Sequence, residues 1–127
     1  MNFTYSKAEK LKSKTTIDLL FSKGKSVSKY PLRLVYIEGD FGEGIPIKMG
    51  VSVSKKHFKK AVDRNYFKRE LRETYRLNKH LLLDNLAMPF SFMFLYQSKD
   101  RLPFEEINKK TIQLFDKFLE AQKTEIK

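Results

Sequence analysis

Residues 51–76 read VSVSKKHFKKAVDRNYFKRELRETYR, and within this stretch the chain passes from one kind of secondary structure to another. Its first residues belong to an alternation in which Ile47, Met49, Val51 and Val53 are apolar, while Lys48, Gly50, Ser52 and Ser54 are small or polar. A period of two means a strand with one buried face. From Phe58 to Lys79 there is neither Gly nor Pro, and Lys60, Arg64, Lys68, Arg72 and Arg76 recur at every fourth position, which means a long helix. At about 100° per residue, Asn65, Lys68, Arg69, Arg72 and Arg76 fall within an arc of roughly 100°. Phe67, Leu71 and Tyr75 share a separate arc and supply an apolar footing, while Asp63, Glu70 and Glu73 take the remaining side. Arg64 falls off the cationic arc, on the side of the apolar one. A solvated face laced with i, i+4 charge pairs is the plain alternative. Same-sign charge gathered on one arc, however, repels itself and costs stability until an anion relieves it.

The flanking sequence places this strand and helix in a mixed fold. Residues 7–22 carry Leu11, Ile17, Leu20 and Phe21 at helical spacing, with Gly24 as a stop signal. Leu32 to Ile37 is a strand, and Gly39-Asp40-Phe41-Gly42-Glu43-Gly44 reads as a hairpin loop joining it to the next. Phe90 to Tyr96 is apolar on both faces apart from Ser91, the pattern of an interior strand covered on both sides. After Pro103, the residues Phe104, Ile107, Leu114, Phe115, Phe118 and Leu119 keep helical spacing to about residue 121. The order is helix, two or three strands, long basic helix, interior strand and final helix. This is an α+β fold, an α/β sandwich of order roughly αβββαβα, read as a single domain over 1–127 because no repeat, low-complexity tract or linker divides the chain.

Charge is the strongest compositional fact. The chain has 26 Lys plus Arg against 15 Asp plus Glu, a net charge of +11. Residues 55–79 alone carry ten basic and three acidic side chains, and residues 1–29 seven basic and two acidic. So local an excess points to a polyanionic partner, nucleic acid first and an anionic membrane surface second. Without Cys there are no disulfides, thiolate nucleophiles or Cys-ligated zinc. No apolar run approaches the roughly 18 residues of a membrane span. The Lys7, Lys10, Lys12 and Lys14 region lacks the apolar block of a signal peptide, so the reading is of a cytoplasmic protein. His57 and His80 are too few and too isolated for acid–base catalysis or a histidine metal cluster. The acids of the basic helix share one face rather than converging from several elements, so no protein-borne metal site is expected.

The succession Val51-Ser52-Val53-Ser54-Lys55-Lys56, Ala61-Val62-Asp63-Arg64-Asn65 and Lys68-Arg69-Glu70-Leu71-Arg72-Glu73 resembles the signature of the bacterial ribonuclease P protein subunit. The resemblance extends to the order of elements over nearly the whole chain. It implies an α/β sandwich with a left-handed βαβ crossover through the basic helix, an exception to the usual right-handed rule. It also implies a role as the accessory protein subunit of an RNA-based endoribonuclease that removes the 5′ leader from precursor tRNA. In that family the catalytic RNA and its Mg2+ ions perform phosphodiester hydrolysis, and no catalytic residue is expected in the protein. The protein holds the single-stranded leader in a cleft and promotes productive metal binding.

Position by position, the resemblance makes Arg64, Asn65, Lys68, Arg69 and Arg72 RNA-binding, with Lys55 and Lys56 as their lead-in. Lys60 and Arg76 extend the same cationic row. Ile17, Phe21 and Tyr36 are implied at the leader cleft. Two positions depart from the family pattern: Tyr66 stands where a third basic residue is frequent, and Phe58 where a Gly is common. The first bears on one phosphate contact, the second on how the helix begins. The alternative from the residues alone is a non-catalytic RNA-binding protein of ribosomal or chaperone-like type.

Overall fold

The most apolar strand takes the inside of the sheet. The computed structural model describes residues 9–39, 46–86 and 88–125. Along the chain run α1 (Lys14–Lys23), β1 (Lys25–Lys29), β2 (Leu32–Glu38), β3 (Ile47–Val53), α2 (Ala61–Leu83), β4 (Phe90–Tyr96) and α3 (Phe104–Glu125). The four strands form one sheet in the order β1-β2-β4-β3, with β4 buried along its whole length. β4 pairs antiparallel with β2 and parallel with β3.

This order corrects the expected hairpin between β2 and β3, which are separated by β4. The hairpin is β1–β2, turning at Tyr30 and Pro31. Residues 40–45 of the loop assigned to the other turn lie outside the described residues. Because β3 and β4 are parallel, the connection between them has to return along the sheet, and α2 is that crossover.

Alternation along each strand sorts side chains onto two cores. Leu32, Leu34 and Tyr36 of β2 join Phe90, Phe92, Phe94 and Tyr96 of β4 beneath α2 and α3. Phe118 of α3 is the hub, edge-on to Tyr36, Phe90 and Phe92 at centroid distances of 4.7, 5.3 and 5.1 Å. Such pairs contribute about 0.5–1.5 kcal/mol each beyond the area they bury. On the other face Val35, Met93 and Leu95 meet Leu11 and Leu20 beneath α1, with Ile17 and Ile37 packed at the margin.

α1 begins later than residue 7. Ser13 caps it, its hydroxyl accepting from the Thr16 amide at 3.3 Å, while Leu11 lies in extended chain and donates its amide to the Met49 carbonyl at 3.1 Å. Residues 7 and 8 lie outside the described residues. The apolar spacing of Leu11 is therefore served by a strand-like segment docked on β3 rather than by a helical turn. Gly24 ends α1 for reasons of space: a Cβ there would lie 2.3 Å from the Leu20 carbonyl and 3.0 Å from that of Tyr36.

Polar groups fix how the layers meet. Lys79 of α2, only 2% exposed, donates from Nζ to both carboxylate oxygens of Glu9 at 2.9 Å, tying the N-terminal segment to the helix. Between α2 and α3, Asn78 donates to Asn108 Oδ1 at 2.7 Å, and the Thr74 and Thr111 hydroxyls lie 3.1 Å apart.

Two stability measurements follow. Gly24→Ala should lower unfolding stability in urea by about 1–3 kcal/mol, the usual cost of overpacking. Glu9→Ala should cost about 3–5 kcal/mol by removing the carboxylate that faces a buried ammonium, whereas Glu9→Leu combined with Lys79→Met should recover most of that loss. A double variant as unstable as the single one would show that the buried charge is not the cause.

Candidate nucleic-acid interface

The cationic arc of α2 is delivered by a tight turn. After β3, the Ser54 carbonyl accepts the His57 and Phe58 amides at 3.2 and 3.1 Å, and the Ser54 hydroxyl accepts the Lys56 amide at 3.0 Å. The turn turns Lys55 and Lys56 outward and sends Phe58 inward, where it stacks on Phe67 at 4.7 Å. Phe58, at the position where the resemblance leads to Gly, thus pins the entry to the helix by burying a ring. Lys60 is the N-cap residue with extended backbone and no side-chain cap.

Along α2 the sequence-predicted residues are treated differently. Asn65, Arg69 and Arg72 are exposed and Lys68 is half-buried; among the described residues, Lys68, Arg69 and Arg72 form no ion pair with an acid. Arg64 turns back: its Nη1 donates to the carbonyls of Phe58 and Lys59 at 2.9 and 2.8 Å, so it braces the turn. Arg76 is drawn to Glu73, Nε donating to Oε2 at 3.1 Å, and this hydrogen bond holds the Glu73 carboxyl below the usual carboxylate range. Arg76 therefore presents less net charge than its place on the arc suggests. The continuous cationic surface is Lys68, Arg69 and Arg72, with Lys55, Lys56 and Lys60 at its leading end.

Beside this arc lies a groove of about 350 Å³ between the N-terminal segment, α1, the sheet and α2. Lys10, Lys12 and Arg72 stand around it, and Leu11, Ile17, Val51 and Met93 give it an apolar lining. Gly50 belongs to the same surface, where a Cβ would come within 3.2 Å of Met93 Cε and 3.5 Å of Leu11 Cβ. Of the three residues implied at a cleft, Ile17 lines this groove and Phe21, 56% exposed, follows one turn later on α1. Tyr36 does not join them. It sits on the opposite face of the sheet, 4% exposed, its ring against Phe118 and Phe90. The reason is the period of two in β2: Val35 and Ile37 face α1, and Tyr36 between them faces α3.

Sequence reasoning missed Lys10, Lys12, Gly50 and Met93 as groove residues. The excess positive charge of residues 1–29 was the available signal for the two lysines. Two of the acids near the arc are engaged, Asp63 with Arg101 at 3.3 Å and Glu73 with Arg76. Among the described residues no three His, Asp or Glu gather in a way that could hold a metal ion. The donor set on this face suits an anion rather than a cation.

A family model described as Ribonuclease P matches residues 5–119. A ribonuclease P protein component from Porphyromonas gingivalis is 49% identical over 84 residues, 66% of this chain and 61% of the relative, so the match spans about three fifths of that protein's length. One from Chlorobaculum tepidum is 32% identical over 108 residues, 76% of this chain and 70% of the relative. The solved RNase P protein of Staphylococcus aureus superposes with a TM-score of 0.70 at 22% identity, covering 87% of this chain and 94% of that one. That of Thermotoga maritima gives 0.68 at 24% identity, covering 86% and 96%. Both solved structures share the fold. With the family model matched across nearly all of its length, the chain belongs to the ribonuclease P protein family.

Proposed function

We propose that this protein is the accessory protein subunit of the ribonuclease P ribonucleoprotein, binding the catalytic RNA and the single-stranded 5′ leader of precursor tRNA. The observation that carries the reading is the position of Arg72. It belongs both to the exposed cationic arc of α2 and to the rim of the groove. A strand whose phosphates follow the arc is thereby led into a cleft whose apolar lining suits unpaired bases and whose rim cations suit phosphates. Guanidinium forks on successive turns engage phosphate oxygens bidentately, and Lys68 adds a point charge between them.

The division of labour follows from the same side chains. Two of the α2 acids are paired, Glu73 with Arg76 and Asp63 with Arg101, and among the described residues no three His, Asp or Glu gather as metal ligands, so the reading assigns no general base or metal-bound water to this face. On this reading Mg2+ is held by the catalytic RNA and its substrate, where it supplies the charge stabilisation for phosphodiester hydrolysis. The protein neutralises phosphates nearby and holds the leader still, which favours the metal-bound state, and it does so in the cytoplasm.

The purified protein alone should leave precursor tRNA intact, and adding it to the cognate catalytic RNA at low magnesium should accelerate 5′ cleavage. Absence of stimulation at every magnesium concentration would instead favour a non-catalytic RNA-binding role. Arg69→Ala and Arg72→Ala should each weaken RNA binding and flatten the log–log salt dependence by roughly 0.7–0.9, one phosphate contact apiece. Unchanged slopes in both would place the contact surface elsewhere.

A further inference from the structure

Tyr66 occupies the outer surface of α2, 40% exposed, with Val62 one turn before it 70% exposed. Its ring is nevertheless backed firmly, edge-on to Phe67 at 5.0 Å and 86°, and Phe67 is itself packed between Phe58 and Tyr96 at 4.7 and 4.6 Å. Glu70, one turn further along α2, raises the pKa of the phenol, while the charges of Arg101 and Arg69 act in the opposite sense. Arg101 is anchored in turn, paired with Asp63 at 3.3 Å and lying 5.8 and 5.4 Å over the Phe58 and Phe67 rings. The arrangement is a flat aromatic surface on rigid backing, with a guanidinium contributed by α2 and another by the loop after β4.

Resting on the reading that α2 lies against RNA, we propose that Tyr66 is a stacking platform for one unpaired base of the bound RNA, with Arg69 taking the adjoining phosphate. Every base has a π-face, so stacking tolerates sequence. The platform therefore selects for an unstacked nucleotide and not for a particular base. It also supplies a contact of another kind at the position where the family pattern often carries a cation.

The chain has no Trp, so Tyr66→Trp places a single indole at the site. Titration of this variant with cognate catalytic RNA should quench its emission; unchanged emission at saturation overturns the proposal. Tyr66→Ala should weaken binding to the same RNA about tenfold with the salt slope unchanged, within the range for loss of one stacked base. Tyr66→Phe should bind like the parent protein and Tyr66→Leu like the Ala variant. A Leu variant that binds like the parent, or an Ala variant with full affinity, overturns the proposal. Failure of the parent protein itself to bind the catalytic RNA would instead overturn the reading on which the proposal rests.

Discussion

Parallel pairing of β3 with β4 is the constraint on which the rest depends. Seven residue pairs, Ile47 with Phe90 through Val53 with Tyr96, hold the two strands side by side and pointing the same way. The chain between them must travel back along the sheet, and it does so as a helix of 23 residues, about 35 Å long against about 23 Å for a strand of seven. α2 thus spans more than the sheet it covers. Its first turns, with the Ser54-Lys55-Lys56 turn, gather at the end where β3 finishes, and its far turns reach the N-terminal segment through Lys79 and Glu9. Because that segment also docks on β3 at Met49, its placement forms one wall of the groove beside Arg72.

The electrostatics follow from this geometry. Phe67, Leu71, Tyr75 and Leu82 fasten α2 to the core, which leaves the cationic arc no freedom to disperse by turning the helix. Nearby acids neutralise the flanks, at Arg76 and Arg101, rather than the centre at Lys68, Arg69 and Arg72. The self-repulsion of that centre remains in the free protein, and on the proposed reading a bound phosphate chain relieves it, which couples binding energy to fold geometry.

Much of this was legible in the residues because it is local. The alternation from Ile47 to Val53, the apolar run of β4 and the three-way sorting of α2 each state their burial within one element. What escaped was tertiary. β1, Lys25–Lys29, has only Val27 partly buried on an edge strand and so carries little alternation. The β2–β3 hairpin was misassigned because insertion of β4 between them is a long-range event. Tyr36 lies on the face away from Ile17, because period two gives two faces without saying which one meets α1. Glu9 and Lys79 are 70 residues apart, and no local pattern links them before the fold brings them together.

The central claim is that the arc of α2 and the adjoining groove form one continuous RNA surface. Backbone amide shifts recorded on the labelled protein, free and with a single-stranded leader RNA or a fragment of the catalytic RNA, test it most directly. The account predicts perturbations at Lys68, Arg69 and Arg72 and at Leu11, Ile17 and Gly50, with the outward face of α3 unchanged. Perturbations concentrated on α3 or β1, with the α2 arc silent, would contradict it.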